Sequence, residues 1–220
     1  MIRKILLMAT ATLLCMTGIA QSRFDTFFEK KRLRIDFALS GNAEGQRAAI
    51  EQLREEPTWG GPQKNLVDEF HYGGYYVCIY DKASGELIYS KGFNTLFEEW
   101  LTTDQAKTET QSWTNSISIP FPKRDITFEL LARSRDDMQF HPLLRMDIAP
   151  ESIFIDRGAL KSNHITKLLY NGEPNRKVDL VFLAEGYRAE EQEKFVSDAR
   201  RFMEALFRTP PFSAHQEDFN

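Results

Sequence analysis

Cysteine is almost absent from this sequence, which contains two in 220 residues. Cys15 lies in an N-terminal apolar run that we expect to be removed, so Cys78 is left without a partner for an intramolecular disulfide. The fold must therefore be stabilised by packing and not by covalent cross-links. Cys78 lies in an aromatic segment at residues 75–80, where a buried, unreactive thiol is a better interpretation than a nucleophile.

The sequence also has no strong excess of charge of one sign. Its formal net charge is −4, from 28 basic and 32 acidic residues that are spread along the chain. Nucleic acids and anionic membrane surfaces are recognised by clusters of Lys and Arg, so neither is predicted as a partner. Beyond the N-terminus, no apolar run approaches the ~20 residues that cross a bilayer, and no membrane span is predicted.

The motifs of several enzyme classes are missing. The four histidines have no partner histidine at the spacing of a metal-binding pair, and no His-Glu-x-x-His occurs. There is no Gly-x-Ser-x-Gly nucleophile elbow and no three-glycine dinucleotide motif. The sequence therefore contains no recognisable zinc site, and no catalytic or metal-binding residue is assigned from motifs.

Residues 1–20 have the pattern of a secretory signal peptide. Two basic residues precede an apolar run at residues 5–15, and small residues stand three and one positions before Gln21. A lipid anchor on Cys15 is less well supported, because no small residue precedes it. We expect export to the periplasm, the cell surface or the medium, and a mature chain of about 200 residues, enough for one large or two small domains.

Residues 21–160 predict an antiparallel β-sandwich. At residues 32–39, apolar and polar side chains alternate as in a half-buried strand. Residues 74–80 and 86–90 are joined by a five-residue loop that ends in glycine, which indicates a hairpin. Further strand patterns occur at residues 113–122, 126–133 and 153–156. Six or seven short strands with regular turn signals are typical of a sandwich.

Two segments of this region are predicted not to be strands. Residues 43–55 are interpreted as a short helical turn or a loop. Residues 93–101 carry apolar side chains at helical spacing and predict a short helix across the end of the sheet.

Residues 161–220 predict the first βα unit of an α/β domain, with the domain boundary at residues 158–163. Residues 178–183 form a short apolar run that suits a buried parallel strand. Apolar residues at helical spacing follow, with acidic residues first and Arg208 last, which predicts an amphipathic helix. A second parallel strand is expected to begin near Asn220.

The predicted fold class is thus α+β: an N-terminal antiparallel β-sandwich followed by the first βα unit of a truncated α/β domain. Because the unit lacks the rest of its sheet, we expect its strand edge and the apolar face of its helix to be exposed.

Two residues near this unit are weak candidates for a functional site. Glu185 follows the predicted strand, where a carboxylate can reach a ligand at the end of a sheet. The alternative is that Glu185 caps the amides at the start of the helix. His215 follows the helix and is alternatively an ordinary surface histidine.

The sequence resembles the IgA-specific zinc metallopeptidase family of exported bacterial proteins. The similarity is most specific at residues 178–187, at the Thr-Pro-Pro-Phe of residues 209–212, and at the terminal Phe-Asn. Residues 59–61, 75–90 and 153–158 are similar to the family's N-terminal β-sandwich, so the resemblance implies that residues 21–160 are an accessory domain. Family members usually have an acidic residue, often preceded by glycine, before Gly-Tyr. This chain has Ala-Glu there.

The resemblance implies an exported hydrolase in which zinc is held by a His-Glu-x-x-His helix and a downstream ligand, with the Glu as general base. These elements do not occur in the 220 residues. The resemblance therefore implies an N-terminal fragment, inactive alone and binding no zinc, without the C-terminal half of the peptidase domain. The substrate of the parent enzyme would be a protein or peptide.

A non-enzymatic function is the alternative. The sandwich would then be an exported binding module for a surface protein or a glycan. Its candidate contact residues are aromatic: Trp59, Tyr72, Tyr75, Tyr76 and Trp113.

Overall fold

A computed structural model describes residues 23–160 and 164–220. The expected signal peptide at residues 1–20, with Cys15, lies outside the described residues, as do residues 161–163 of the predicted domain boundary. None of the helices in the described ranges is long and apolar enough to cross a membrane.

Eight strands in the described part of the chain form two four-stranded sheets. They are β1 (Phe28–Asn42), β2 (Gly45–Glu56), β3 (Tyr75–Asp81), β4 (Leu87–Phe93), β5 (Gln111–Pro122), β6 (Ile126–Arg133), β7 (Phe140–Ile148) and β8 (Ile155–Asp156). The first sheet has the order β5-β1-β2-β8 and the second β4-β3-β6-β7. Neighbouring strands are antiparallel except for β2 and β8, which are parallel.

Three α-helices lie in residues 23–160 and 164–220. They are α1 (Arg23–Phe27), α2 (Leu96–Trp100) and α3 (Gln192–Arg208). Short 3-10 turns lie at Gln105–Lys107, Pro174–Arg176, Ala189–Glu191, Phe212–Ala214 and Gln216–Asp218. The predicted helix at residues 93–101 is α2, which is capped by the Thr95 side chain and buries Phe97 and Trp100.

The two sheets share one apolar core. Leu33, Ile35 and Phe37 of β1 are completely buried and belong to the same cluster as Ile79 of β3 and Phe128 of β6. Burying each such side chain contributes roughly 1.5–3 kcal/mol. The predicted α+β class with an N-terminal antiparallel β-rich region is confirmed.

The interpretation of residues 43–55 as a helical turn or loop is wrong. The segment is β2, which pairs with β1 along its whole length, with Leu53 opposite Ile35 and Ala49 opposite Ala38. Its residues suit a helix locally, but the hydrogen-bonded pairing with β1 overrides that preference.

Strand β7 was missed because Pro142 interrupts its pattern. This proline is tolerated since β7 is an edge strand. Of the predicted strand at residues 153–156, only β8 is formed.

The predicted β3–β4 hairpin is present and is held by a buried carboxylate. Asp81 accepts hydrogen bonds from the Ser84 N–H (2.9 Å) and hydroxyl (2.6 Å), and pairs with Arg124 Nε at 2.7 Å. Burial by itself would raise the pKa of Asp81, but the Ser84 hydrogen bonds and the Arg124 charge outweigh it and hold the pKa below its ordinary value.

Replacing Asp81 with alanine is expected to lower the free energy of unfolding by about 2 kcal/mol at pH 7, because hydrogen bonds to a charged group are lost. The pKa is lower in the folded protein, so this contribution is complete above the unfolded pKa. It disappears as the pH falls through the folded value. Urea unfolding at several pH values measures both effects.

The matched control is Asp104→Ala, which removes an exposed carboxylate paired with Lys107. It should change the free energy of unfolding by less than about 0.5 kcal/mol. Equal destabilisation by the two substitutions would contradict the role given to Asp81.

Candidate functional site at the parallel strand edge

Residues 178–180 begin a parallel pair with the chain that follows α3. The Val178 N–H donates to the Asp218 carbonyl (2.8 Å), and the Asn220 N–H donates to the Val178 carbonyl (2.9 Å). The Leu180 N–H then donates to the Asn220 carbonyl at 3.0 Å. Val178 and Phe219 form a parallel bridge. The chain thus returns beside its first extended segment in the parallel direction that the sequence predicts.

This pair is exposed and short. Val181 and Leu183 keep 71% and 85% of their surface in solvent, and Phe202 of α3 keeps 59%. The pairing amounts to one bridge and not a regular strand. An exposed strand edge and an exposed apolar helix residue are what the sequence predicts for a βα unit without the rest of its sheet.

Aromatic contacts hold α3 against the extended segments. The Tyr187 ring lies 5.1 Å from that of Phe195, and the Phe207 ring lies 5.4 Å from that of Phe219. The Tyr187 hydroxyl donates to Asp198 at 3.0 Å. Hydrogen bonds from Lys194 and then from Tyr187 lower the pKa of Asp198. Both ends of the helix are thereby tied to the chain that precedes and follows it.

Two asparagines fix the register of the parallel pair. Asn220 Oδ1 accepts from the N–H groups of Asn171 (2.8 Å) and Gly172 (3.2 Å). Its Nδ2 donates to the Gly172 carbonyl (3.0 Å) and to Asp179 Oδ1 (2.9 Å). Asn171 Nδ2 in turn donates to the Phe219 carbonyl at 2.9 Å. We call Asn171 and Asn220 the asparagine clamp. Apart from the Asn-Gly pair, no sequence pattern indicates this clamp.

The weak candidates Glu185 and His215 are both exposed. Glu185 precedes Gly186, whose φ of 77° favours glycine. Glu191, and not Glu185, accepts the Arg188 N–H at the start of the helical segment, at 2.9 Å. His215 Nδ1 lies 3.0 Å from an Asp218 oxygen. Within the described ranges, no hydrogen bond or ion pair joins Glu185 to His215. Their functional roles stay predictions.

The described residues do not fit a zinc site. They contain no group of three or more His, Cys, Asp and Glu side chains that could hold a metal ion. His141 and His215 each face one carboxylate, of Asp137 and Asp218 respectively. A zinc centre needs at least three protein ligands. No catalytic step is therefore derived from these residues.

Most of the aromatic contact candidates belong to the core. Trp59, Tyr75 and Tyr76 are buried, and Trp113 is half-buried. Burial raises the pKa of Tyr75 and of Tyr76 to about 12. Tyr72 alone among the five candidates is exposed. Burial likewise raises the pKa of the Cys78 thiol, as expected for an unreactive cysteine.

Two family models match the chain, and together they define its class as metallopeptidase-related. The model described as Peptidase M64 N-terminus matches residues 23–143, which include β1 to β6. The model described as IgA Peptidase M64 matches residues 166–220, which include the parallel pair and α3. No curated protein is similar enough to count as a match. Since the first model alone covers more than half of the sequence, the chain belongs to the M64 peptidase family.

Replacing Asn220 with alanine is expected to open the parallel pair, because it removes four hydrogen bonds of the asparagine clamp. Amide hydrogen exchange at Val178 and Leu180 should accelerate about tenfold or more, while exchange in the sandwich stays unchanged. Glu217→Ala is the control, because its side chain takes no part in the clamp. Unchanged protection at Val178 in the Asn220 variant would refute the role of the clamp.

Proposed function

We propose that this chain supplies the N-terminal β-sandwich and the first strand–helix unit of the catalytic domain of an exported zinc metallopeptidase that hydrolyses peptide bonds. The family match supports a metallopeptidase-related function. The proposal that these residues belong to a larger α/β domain is based on the exposed apolar edge at residues 178–183.

This edge has the properties of a strand from the interior of an α/β sheet. It pairs in parallel with residues 218–220, and parallel sheets are covered on both faces in nearly all known folds. Its side chains at Val181 and Leu183 are apolar but exposed. Further parallel strands and helices would cover these side chains and pair the free backbone groups. The catalytic residues would then lie at the carboxyl ends of several strands.

In this proposal the zinc ion belongs to residues outside the 220, since those described here do not fit a metal site. Zinc in such an enzyme supplies an activated water for attack on the peptide carbonyl. The present residues have structural roles. The asparagine clamp sets the register of the first two strands, α3 covers one side of them, and the sandwich is an accessory domain. The whole enzyme takes a protein or peptide as substrate.

Export is part of the proposal and is supported by the signal-peptide pattern of residues 1–20. Among the described residues, Cys78 is buried and free.

The coding sequence downstream of the Asn220 codon tests the proposal. We expect an open reading frame that reaches His-Glu-x-x-His within one further domain length of ~100–200 residues. The purified 220-residue chain, incubated with zinc chloride, should neither bind one zinc per chain nor cleave casein. EDTA-sensitive peptidase activity of the 220-residue chain would overturn the assignment of the metal site to other residues.

The exposed edge can be tested by Leu183→Lys. In the 220-residue chain the substitution should change the free energy of unfolding by less than about 0.5 kcal/mol, because the site is exposed. In a protein that includes the complete peptidase domain it should cost about 3 kcal/mol or more, because an unpaired charge would be buried.

Ile153→Lys is the matched control for this comparison, since Ile153 is an equally exposed apolar residue on the sandwich. It should be neutral in both proteins. A neutral Leu183→Lys in the longer protein would count against a covered edge.

A further inference from the structure

Asn171 and Gly172 form the only Asn-Gly pair among the 220 residues, and Asn171 belongs to the asparagine clamp. An asparagine that precedes glycine loses its side-chain amide readily in peptides. The reason is that glycine has no Cβ to obstruct the approach of its own backbone nitrogen to the carboxamide. The clamp therefore contains a chemically labile pair at the place where the register of the parallel pair is fixed.

Deamidation of this pair needs no reactant besides water. The Gly172 nitrogen attacks Cγ of Asn171, and the new C–N bond closes a five-membered succinimide ring. The bond from Cγ to the carboxamide nitrogen breaks, and that nitrogen leaves as ammonia with the proton that the Gly172 N–H gives up. Water then adds to one of the two ring carbonyls, and the ring opens to aspartate or isoaspartate. Asn171 is exposed, so water reaches the ring.

In the folded chain, both reacting groups are hydrogen-bonded to other partners. Asn171 Nδ2 donates to the carbonyls of Gln216 (3.0 Å) and Phe219 (2.9 Å), which holds the carboxamide beside the chain that follows α3. The Gly172 N–H donates to Asn220 Oδ1 at 3.2 Å. Ring closure requires the carboxamide to turn toward the Gly172 nitrogen and this nitrogen to lose its proton. All three hydrogen bonds must therefore break first, which couples the reaction to the opening of the clamp.

The product of deamidation cannot rebuild the clamp. A carboxylate accepts hydrogen bonds and donates none, so at position 171 it would face the carbonyl oxygens of Gln216 and Phe219 without a proton between them. Isoaspartate also lengthens the main chain by a methylene group and displaces the N–H groups that bond to Asn220. Because Phe219 forms the parallel bridge with Val178, the loss of these contacts weakens the parallel pair.

We propose that Asn171 is a deamidation site that the asparagine clamp keeps intact while the parallel pair is closed, and that deamidation then holds the pair open. The change is irreversible because ammonia is lost. The proposal depends on residues 171–172 and 216–220 and is independent of the proposed peptidase function.

The test compares the deamidation of Asn171 in the 220-residue chain and in a synthetic peptide of residues 167–177, both in mildly alkaline buffer. Peptide mapping by mass spectrometry follows the conversion of amide to acid, and an isoaspartyl methyltransferase detects isoaspartate. We expect Asn171 to react about tenfold or more slowly in the chain than in the peptide, because the reaction waits for local opening. Asn220→Ala should bring the rate in the chain close to that of the peptide. Glu217→Ala is the control and should leave it slow.

The effect of the product is tested by Asn171→Asp. Its matched control is Asn175→Asp, which introduces the same charge nearby at a side chain that takes no part in the clamp. Amide exchange at Val178 and Leu180 should accelerate about tenfold or more in Asn171→Asp and stay unchanged in Asn175→Asp. Three outcomes overturn the proposal: equal deamidation rates in the chain and the peptide, no faster deamidation in Asn220→Ala, or equal amide exchange in the two aspartate variants.

Discussion

The parallel pairing of residues 178–180 with residues 218–220 is the constraint on which the arrangement of the C-terminal segment depends. Three backbone hydrogen bonds define it, and the asparagine clamp fixes its register. A parallel pair needs a crossover, here α3, and normally needs cover on both faces. The exposed apolar residues of this segment follow from the absence of that cover in the chain described here.

The sandwich meets its packing requirements within itself, and the C-terminal segment does not. Sheet residues from β1, β3 and β6 bury one another completely, and buried Asp81 has its hydrogen bonds and its ion pair. In the segment from residue 164 onward, Ala199 and Phe207 are the buried apolar residues. The proposal of an accessory domain followed by the first part of a larger sheet rests on this contrast.

Much of the fold could be predicted from the sequence, because local pattern and tertiary structure agree there. The alternation at residues 32–39 places Leu33, Ile35 and Phe37 in the core, as predicted. The predictions failed where tertiary pairing overrides local preference, as in β2 and in β7 with its Pro142. The asparagine clamp joins residues about fifty positions apart, and periodicity carries no information on such contacts. Of the five aromatic contact candidates, Tyr72 alone is exposed, because the burial of the others depends on how distant strands pack.

Amide hydrogen exchange on the 220-residue chain, followed by mass spectrometry, is the most direct test of whether the strand–helix unit is less stable than the sandwich. It compares residues 178–220 with the sandwich strands β3 and β6. Backbone amides of β3 and β6 should exchange slowly, and those of residues 178–183 much faster. The reason is that residues 178–183 are paired along one edge in the described structure and that Val181 and Leu183 are exposed. Uniform protection across both regions would contradict this expectation, and would mean that the strand–helix unit is already complete without further strands.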